Sequence, residues 1–367
     1  MIFKSIALKP EKPQIDQNQD SKFSFKLYGL IASLVLGTVG GINWLVDPLW
    51  YSHGNLLTGR NFAFNERITK TNLFLRTKDK VDYDCLILGS SRAIALRPSN
   101  FQENQCFNYA LKGGEIDDFI NYSRALKEKG FNPKKVYIGV DGLNFVPKTR
   151  IKNPDFNLDS TKTQSPLQAY LSADVFLFSI MTLLGVSPDP GNYYDRNFEP
   201  ADFAHPPVYK PTFYKPLPSQ QCDLAPVTDF ASLRDIFPNA EFIGYVPPRS
   251  AWSMVNDTYG RDLMDCYLTA FHQLSQIYDV MYDFSIPSEI TKNPDHTFDG
   301  SHYSVEVNNE VAAILQGESD SFGIRINSHD FQEYRRLYFA KLREFLAENN
   351  QLKRWQPPKD LKDISLN

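Results

Sequence analysis

Ser91, His302 and Asp299 are the residues of this chain whose types and spacing could activate a hydroxyl group. Ser91 closes Asp84-Cys85-Leu86-Ile87-Leu88-Gly89-Ser90-Ser91, an apolar run that ends in a glycine and presents two serines. His302 stands in Phe298-Asp299-Gly300-Ser301-His302-Tyr303-Ser304, three residues after a carboxylate. A serine is a weak nucleophile until a base takes its proton, and a histidine does this best when a carboxylate fixes its tautomer. In D-x-x-H spacing the carboxylate can fold back onto the imidazole N–H. His296 competes for the role, but its adjoining Asp295 is not in that relation. Singly the pieces are weak, because Gly-Ser-Ser is a common helix cap and D-x-x-H a common turn. Their order, and the elements between them, carry the argument.

To meet, the two segments need a scaffold that brings distant strand ends together. Apolar runs predict strands at Cys85–Leu88, Cys106–Ala110, Val136–Val140, Glu241–Val246 and Val280–Phe284. Helical spacing predicts helices starting over Ser91–Leu96 and spanning Glu115–Lys129, Val227–Ile236, Arg261–Gln276 and Val305–Leu315. Strands alternating with helices imply an α/β domain with a parallel sheet covered on both faces. Such sheets bind ligands at the carboxyl ends of their strands, where Ser90 and Ser91 fall. Gly89 permits the tight turn, and a helix opening at Ser91 aims backbone N–H groups at the reacting atom. A last helix over 326–348, capped by Ser328, carries an apolar stripe through Phe331, Tyr334, Leu337, Tyr338, Leu342 and Phe345.

The domain runs over 81–348, with an insertion at 147–226. Within the insertion, Ser172 to Gly185 predicts a capped helix too short to cross a membrane, read as a core helix or one at the membrane surface. The stretch 188–218 is rich in Pro, Tyr and Phe and suits either a lid, with Tyr193, Tyr194, Tyr209 and Tyr214 candidates for stacking on a sugar, or a surface wrap held by aromatic packing. Residues 47–80 read as an exposed lead-in, and 349–367 as a loose tail. Residues 27–46 carry no charge, and twenty helical residues span roughly 30 Å, a bilayer core. The preceding tail, 1–26, holds Lys4, Lys9, Lys12, Lys22 and Lys26, whereas the first basic residue beyond the run is Arg60. The positive-inside rule therefore expects a cytoplasmic N-terminus and an extracytoplasmic domain.

Bulk composition narrows the rest. With 42% hydrophobic residues and a net charge of −4, the chain can build a large core and shows no basic excess suited to nucleic acid. Cys85, Cys106, Cys222 and Cys266 have no zinc-site spacing, so neither a metal nor an organic cofactor is implied. Cys85 and Cys106 fall on strands that could be neighbours; disulfides and buried free thiols both remain open readings.

The motif order resembles the SGNH (GDSL-like) hydrolase superfamily, especially its membrane-anchored branch of alginate O-acetylation proteins and the D-alanyl transfer protein of lipoteichoic acid. Gly89-Ser90-Ser91 is similar to the family's G-D-S, with Ser90 in place of Asp and Ser91 as nucleophile. Asn108-Tyr109-Ala110-Leu111-Lys112-Gly113 is similar to its second block, which gives Gly113 an oxyanion-hole role. Asp299 and His302 match the last block. The third block departs: Ile138-Gly139-Val140-Asp141 has Asp141 where the family has an oxyanion-binding Asn, and a carboxylate there would oppose the developing charge, so either Asp141 points away, or Asn144 substitutes, or the hole is incomplete. Ser90, Arg92, Asn108 and Asp141 are candidate substrate contacts. The resemblance implies a three-layer, flavodoxin-like fold with a five-stranded parallel sheet behind one transmembrane helix. It also implies acyl, notably acetyl, transfer or hydrolysis on an envelope glycan, with an integral-membrane acyl-donor partner. A plain esterase and an inactive glycan-binding scaffold are the alternatives.

Overall fold

Alternate residues of the central strands face opposite ways, and this pleat sets the layers of the molecule. The computed structural model describes residues 17–148, 165–187, 193–195, 198–201, 207–215, 217–356 and 358. Lys4, Lys9 and Lys12, and parts of the expected tails and insertion, lie outside the described residues. The strands are β1 (Arg60–Phe62), β2 (Cys85–Leu88), β3 (Cys106–Asn108), β4 (Lys135–Gly139), β5 (Tyr193–Asp195), β6 (Glu241–Val246), β7 (Val280–Asp283) and β8 (Ile324–Arg325). Six form the main sheet in the order β3-β2-β4-β6-β7-β8. All neighbours in it are parallel except β7 and β8. The expected five parallel strands are thus present, and the short antiparallel β8 extends the sheet beyond them.

The helices are α1 (Gln17–Val46), α2 (Glu66–Thr77), α3 (Ile116–Glu128), α4 (Pro166–Tyr170), α5 (Ala173–Leu184), α6 (Pro226–Ile236), the short α7 (Ala251–Ser253), α8 (Met264–Ser275), the short α9 (Glu289–Lys292), α10 (Val305–Leu315) and α11 (Phe331–Glu348). Leu86 and Leu88 of β2 point into one core with α3, α6, α8 and α11. Cys85 and Ile87 point into the other, with α10 and the segment after Ser91. Burying both faces explains why the central strands are apolar throughout rather than alternating.

Four expectations are corrected. The helix after Ser91 is only a 3₁₀ turn, Ser91–Ala93, because Asn108 takes the carbonyls that would continue it. The lead-in is not exposed: α2 buries Lys70, Thr71 and Phe74 against the β3 edge, where Thr71 Oγ1 meets Tyr109 Oη at 2.6 Å. Asp330, not Ser328, caps α11, its carboxylate accepting from Glu333 N at 2.8 Å. The apolar α5 packs on α1 and β1 and not on the main sheet, burying only Val175, Ser179 and Thr182.

Both cysteine pairs are disulfides, Cys85–Cys106 and Cys222–Cys266. The first joins residues directly opposite each other on β2 and β3. The second ties the end of the insertion to α8 across 44 residues. Closing a loop of that length in the unfolded chain is worth about 4 kcal/mol in the chain-entropy model. Replacing Cys222 and Cys266 together by Ser should lower the unfolding free energy from urea melts by that order; an unchanged unfolding free energy would show that the bridge carries no stability.

Candidate functional site

Four strand ends and one long loop converge at the carboxyl edge of the sheet. After β2 the chain turns at Gly89, where an added Cβ would lie 2.5 Å from the Ala93 Cβ, so only glycine fits. Ser90 caps the following turn, its Oγ accepting from Arg92 N at 3.4 Å. This leaves the Ser91 side chain at the strand end.

The loop after β7 returns the base. Phe298 N donates to His302 O at 2.9 Å and Thr297 Oγ1 to the same carbonyl at 2.8 Å, closing a tight turn whose tip is Gly300 at φ +82°. Asp299 Oδ1 accepts from the backbone N–H groups of Ser301 and His302, both at 2.8 Å. Its other oxygen is then free to hold His302 Nδ1 at 2.7 Å. His302 Nε2 lies 2.8 Å from Ser91 Oγ, although 211 residues separate them. With the proton of the imidazole on Nδ1, Nε2 accepts from the Ser91 hydroxyl, the arrangement a general base requires. Partial burial pushes the Asp299 carboxyl up. The His302 hydrogen bond and charge, with the two amides, outweigh it and hold the carboxyl at about 2. Asp299 is therefore an anion throughout the neutral and mildly acidic range. His302 and Asp299 side chains remain 42% and 52% exposed, so the site stands open at the surface.

Two backbone donors are available beside the serine. Neither the Ser91 nor the Gly113 amide hydrogen-bonds to another group among the described residues. Gly113, at φ +61°, sits in the turn after β3, which is docked onto the Ser91 turn by the bond from Leu111 N to Gly89 O at 2.9 Å. Unpaired N–H groups next to a nucleophile are what a developing oxyanion needs. The turn is placed by α2. Glu66 accepts from Lys112 N at 2.5 Å and from Tyr194 Oη at 3.0 Å. Lys70 donates to Ala110 O and reaches Asn108 Oδ1 at 3.4 Å. Burial pulls its amine down to about 8.

The other expected site residues have different roles. Asn108 is a brace, not a substrate contact: it is buried, and its amide donates to the carbonyls of Ala93 and Leu96 at 3.0 and 2.8 Å. Asn144 turns its amide back onto Asp141 O at 3.0 Å and is buried in its own turn, which removes it from the oxyanion role expected of it. Asp141 is not a bare carboxylate beside the nucleophile, because Arg92 Nη1 pairs with it at 2.8 Å. The same guanidinium donates from Nε to Ser301 Oγ at 2.9 Å. The Arg92 and Asp141 side chains are 11% and 9% exposed, so this is a buried pair joined to the histidine turn.

Of the four tyrosines, Tyr194 is a core residue bonded to Glu66, and Tyr214 donates to Asp257. The Tyr193 side chain lies outside the described residues. Tyr209 reaches the site's border, its hydroxyl 3.0 Å from Ser250 Oγ and against Gly300. Arg249 escaped the sequence reading. It follows β6, lies near Arg92, and pairs with Asp257 at 3.0 Å, while burial and then the Arg92 charge lower its pKa. Its position just past a parallel strand end was the available signal, hidden because Pro247-Pro248 reads only as a stop. A cavity of about 520 Å³ lies elsewhere, along the β3 edge of the sheet beside Lys70, Phe101 and Glu199.

Two outcomes test this geometry. Removing one partner of a buried ion pair costs about 3–5 kcal/mol, so Arg92→Ala should destabilise on that scale, and Asp141→Asn should restore part of the loss in the double variant. Urea melts of the four proteins give the coupling, and simple additivity would refute a shared network. Asp299 has a depressed folded-state pKa, so its contribution to stability is complete above the ordinary aspartate value and fades as pH falls from about 4 toward 2. Asp299→Asn should flatten that part of the acid-unfolding curve; a superimposable curve would count against the pairing.

No family model matches the chain and no curated protein matches it, so a functional reading rests on this geometry and on the order of the motifs.

Proposed function

We propose that this chain is a membrane-anchored serine acyl-ester hydrolase or O-acyltransferase of SGNH type. The observation that supports this most directly is the continuous relay Ser91–His302–Asp299, at 2.8 and 2.7 Å, assembled from two ends of the chain. The strand order supports the flavodoxin-like reading of the fold: counted among the five parallel strands alone, it runs 2-1-3-4-5. The helix Phe25–Val46 is long and apolar enough to cross a membrane, and the lysines before it favour a cytoplasmic N-terminus.

The chemistry proceeds in two transfers. Ser91 Oγ attacks the ester carbonyl carbon while its proton passes to His302 Nε2, and the imidazolium is stabilised by Asp299. Negative charge develops on the carbonyl oxygen, where the Ser91 and Gly113 amides can receive it. The C–O bond to the leaving alcohol breaks as His302 returns the proton to that oxygen. This leaves an acyl-serine. A water or a sugar hydroxyl then gives its proton to His302, attacks the acyl carbon, and Ser91 departs with the proton. By the resemblance, the acyl group is acetyl, the acceptor an envelope or exported polysaccharide, and the donor an integral-membrane partner. A plain esterase would use the same residues with water as acceptor, and competition between water and an oligosaccharide hydroxyl separates the two.

A fluorophosphonate probe should label the wild type at Ser91. Labelling should vanish in Ser91→Ala and fall by about 10³-fold or more in His302→Ala. A folded wild type that takes no label would overturn the enzyme reading and favour a glycan-binding scaffold.

A further inference from the structure

We propose that the hairpin formed by α4 and α5 lies in the outer leaflet of the membrane against α1, fixing the domain to the bilayer instead of leaving it on a loose tether. The inference rests on the reading of α1 as a membrane span. The occupant of the hairpin's exposed face is the acyl-chain and headgroup boundary of lipid.

The first ground is where the hairpin meets α1. Asn43 Nδ2 donates to Tyr170 O at 2.7 Å and to Ser172 O at 3.1 Å, and its Oδ1 accepts from Ser179 Oγ at 2.9 Å. A Cβ on Gly40 would sit 3.3 Å from the Leu171 side chain. Gly40 and Asn43 are six and three residues before the end of α1 at Val46, about 9 and 5 Å down the helix axis. A span of Phe25–Val46 is about 33 Å long against a hydrocarbon core of about 30 Å, so that level is within the outer leaflet. An asparagine there is costly unless its amide is satisfied, and the hairpin satisfies both of its ends.

The second ground is the face the hairpin turns outward. Leu167, Leu171, Leu177, Leu184 and Val186 are 70%, 43%, 56%, 71% and 55% exposed. From Ser165 to Ser187 Asp174 is the only charged residue. An exposed apolar patch of this kind is unusual on a water-facing surface. It continues the exposed apolar wall of α1, where Leu30, Leu34 and Leu36 are 61%, 64% and 51% exposed.

The third ground is rigidity at the joint. Asp47 accepts from the backbone N–H groups of Tyr51, Ser52, His53 and Gly54 and from Tyr170 Oη at 3.1 Å. Phe178 of α5 stacks on Phe64 with ring centroids 4.5 Å apart, and Thr182 bonds to Asn61 at 3.3 Å. The chain leaving the membrane is thus knotted to the hairpin and to β1, and the catalytic edge is held at a fixed height above the lipid.

The test uses the full chain reconstituted in phosphatidylcholine–phosphatidylglycerol vesicles, with nitroxide labels on Leu34→Cys, Leu177→Cys, Leu184→Cys and the exposed Glu318→Cys. Power saturation compares oxygen, enriched in lipid, with a water-soluble nickel chelate. Labels at 34, 177 and 184 should favour oxygen, and the label at 318 should favour nickel, a change of sign in the log ratio. A lipid-like label at 34 with aqueous labels at 177 and 184 overturns the hairpin proposal and leaves the anchor reading standing. An aqueous label at 34 overturns both. Labels at 177 and 184 shielded from both reagents mean a protein cover, and also overturn it. Leu184→Trp, measured by quenching from brominated acyl chains relative to the parent, gives the same answer without an added thiol.

Discussion

One guanidinium ties the candidate site together. Arg92 follows Ser91 directly in sequence, pairs with Asp141 at the end of β4 and donates to Ser301 in the histidine turn. Three segments that start far apart in sequence are thereby held at one point. A triad hydrogen bond between Ser91 and His302 is sensitive to displacements well below 1 Å, and each partner sits on a loop. The Arg92 bridge turns those loops into one unit. It also explains how the site tolerates Asp141: a carboxylate that would oppose an oxyanion is charge-compensated and directed into the pair.

Behind this bridge lies a second set of polar contacts that places the Gly113 turn. Glu66 and Lys70 both come from α2, and both act on the segment Asn108–Lys112. Buried charges are costly unless every remaining hydrogen-bonding position is met, and here the partners include two backbone groups of the turn being positioned, Lys112 N and Ala110 O. Asn108 adds the link back to Ser91 by holding the carbonyls of Ala93 and Leu96. The residues that shape the candidate oxyanion hole therefore belong largely to the segment that precedes the domain.

The same segment connects the candidate site to the end of the apolar helix α1. Asp47 and Asn43 organise the exit from α1, Asn61 lies on β1, and Glu66 opens α2. Short hydrogen-bonded steps run from the apolar helix to the turn beside Ser91. Loose tethering would not need so many satisfied buried polar groups in so short a length of chain.

The sequence by itself determined the strand-and-helix alternation and the strand ends, and it singled out Ser91, His302 and Asp299, which the fold brings into hydrogen-bond contact. Those signals are local: apolar runs mark strands buried on both faces, and D-x-x-H spacing lets a carboxylate meet an imidazole within one turn. The cysteine pairing, the burial of α2, the withdrawal of Asn108 and Asn144 into bracing roles and the presence of Arg249 beside Arg92 were settled only in three dimensions. Each depends on which segments become neighbours, and a polar residue has the same appearance in sequence whether it faces a ligand or braces a turn. The reversal of Asp141 from conflict to counter-ion is the clearest case, because its meaning depends on a guanidinium 49 residues away.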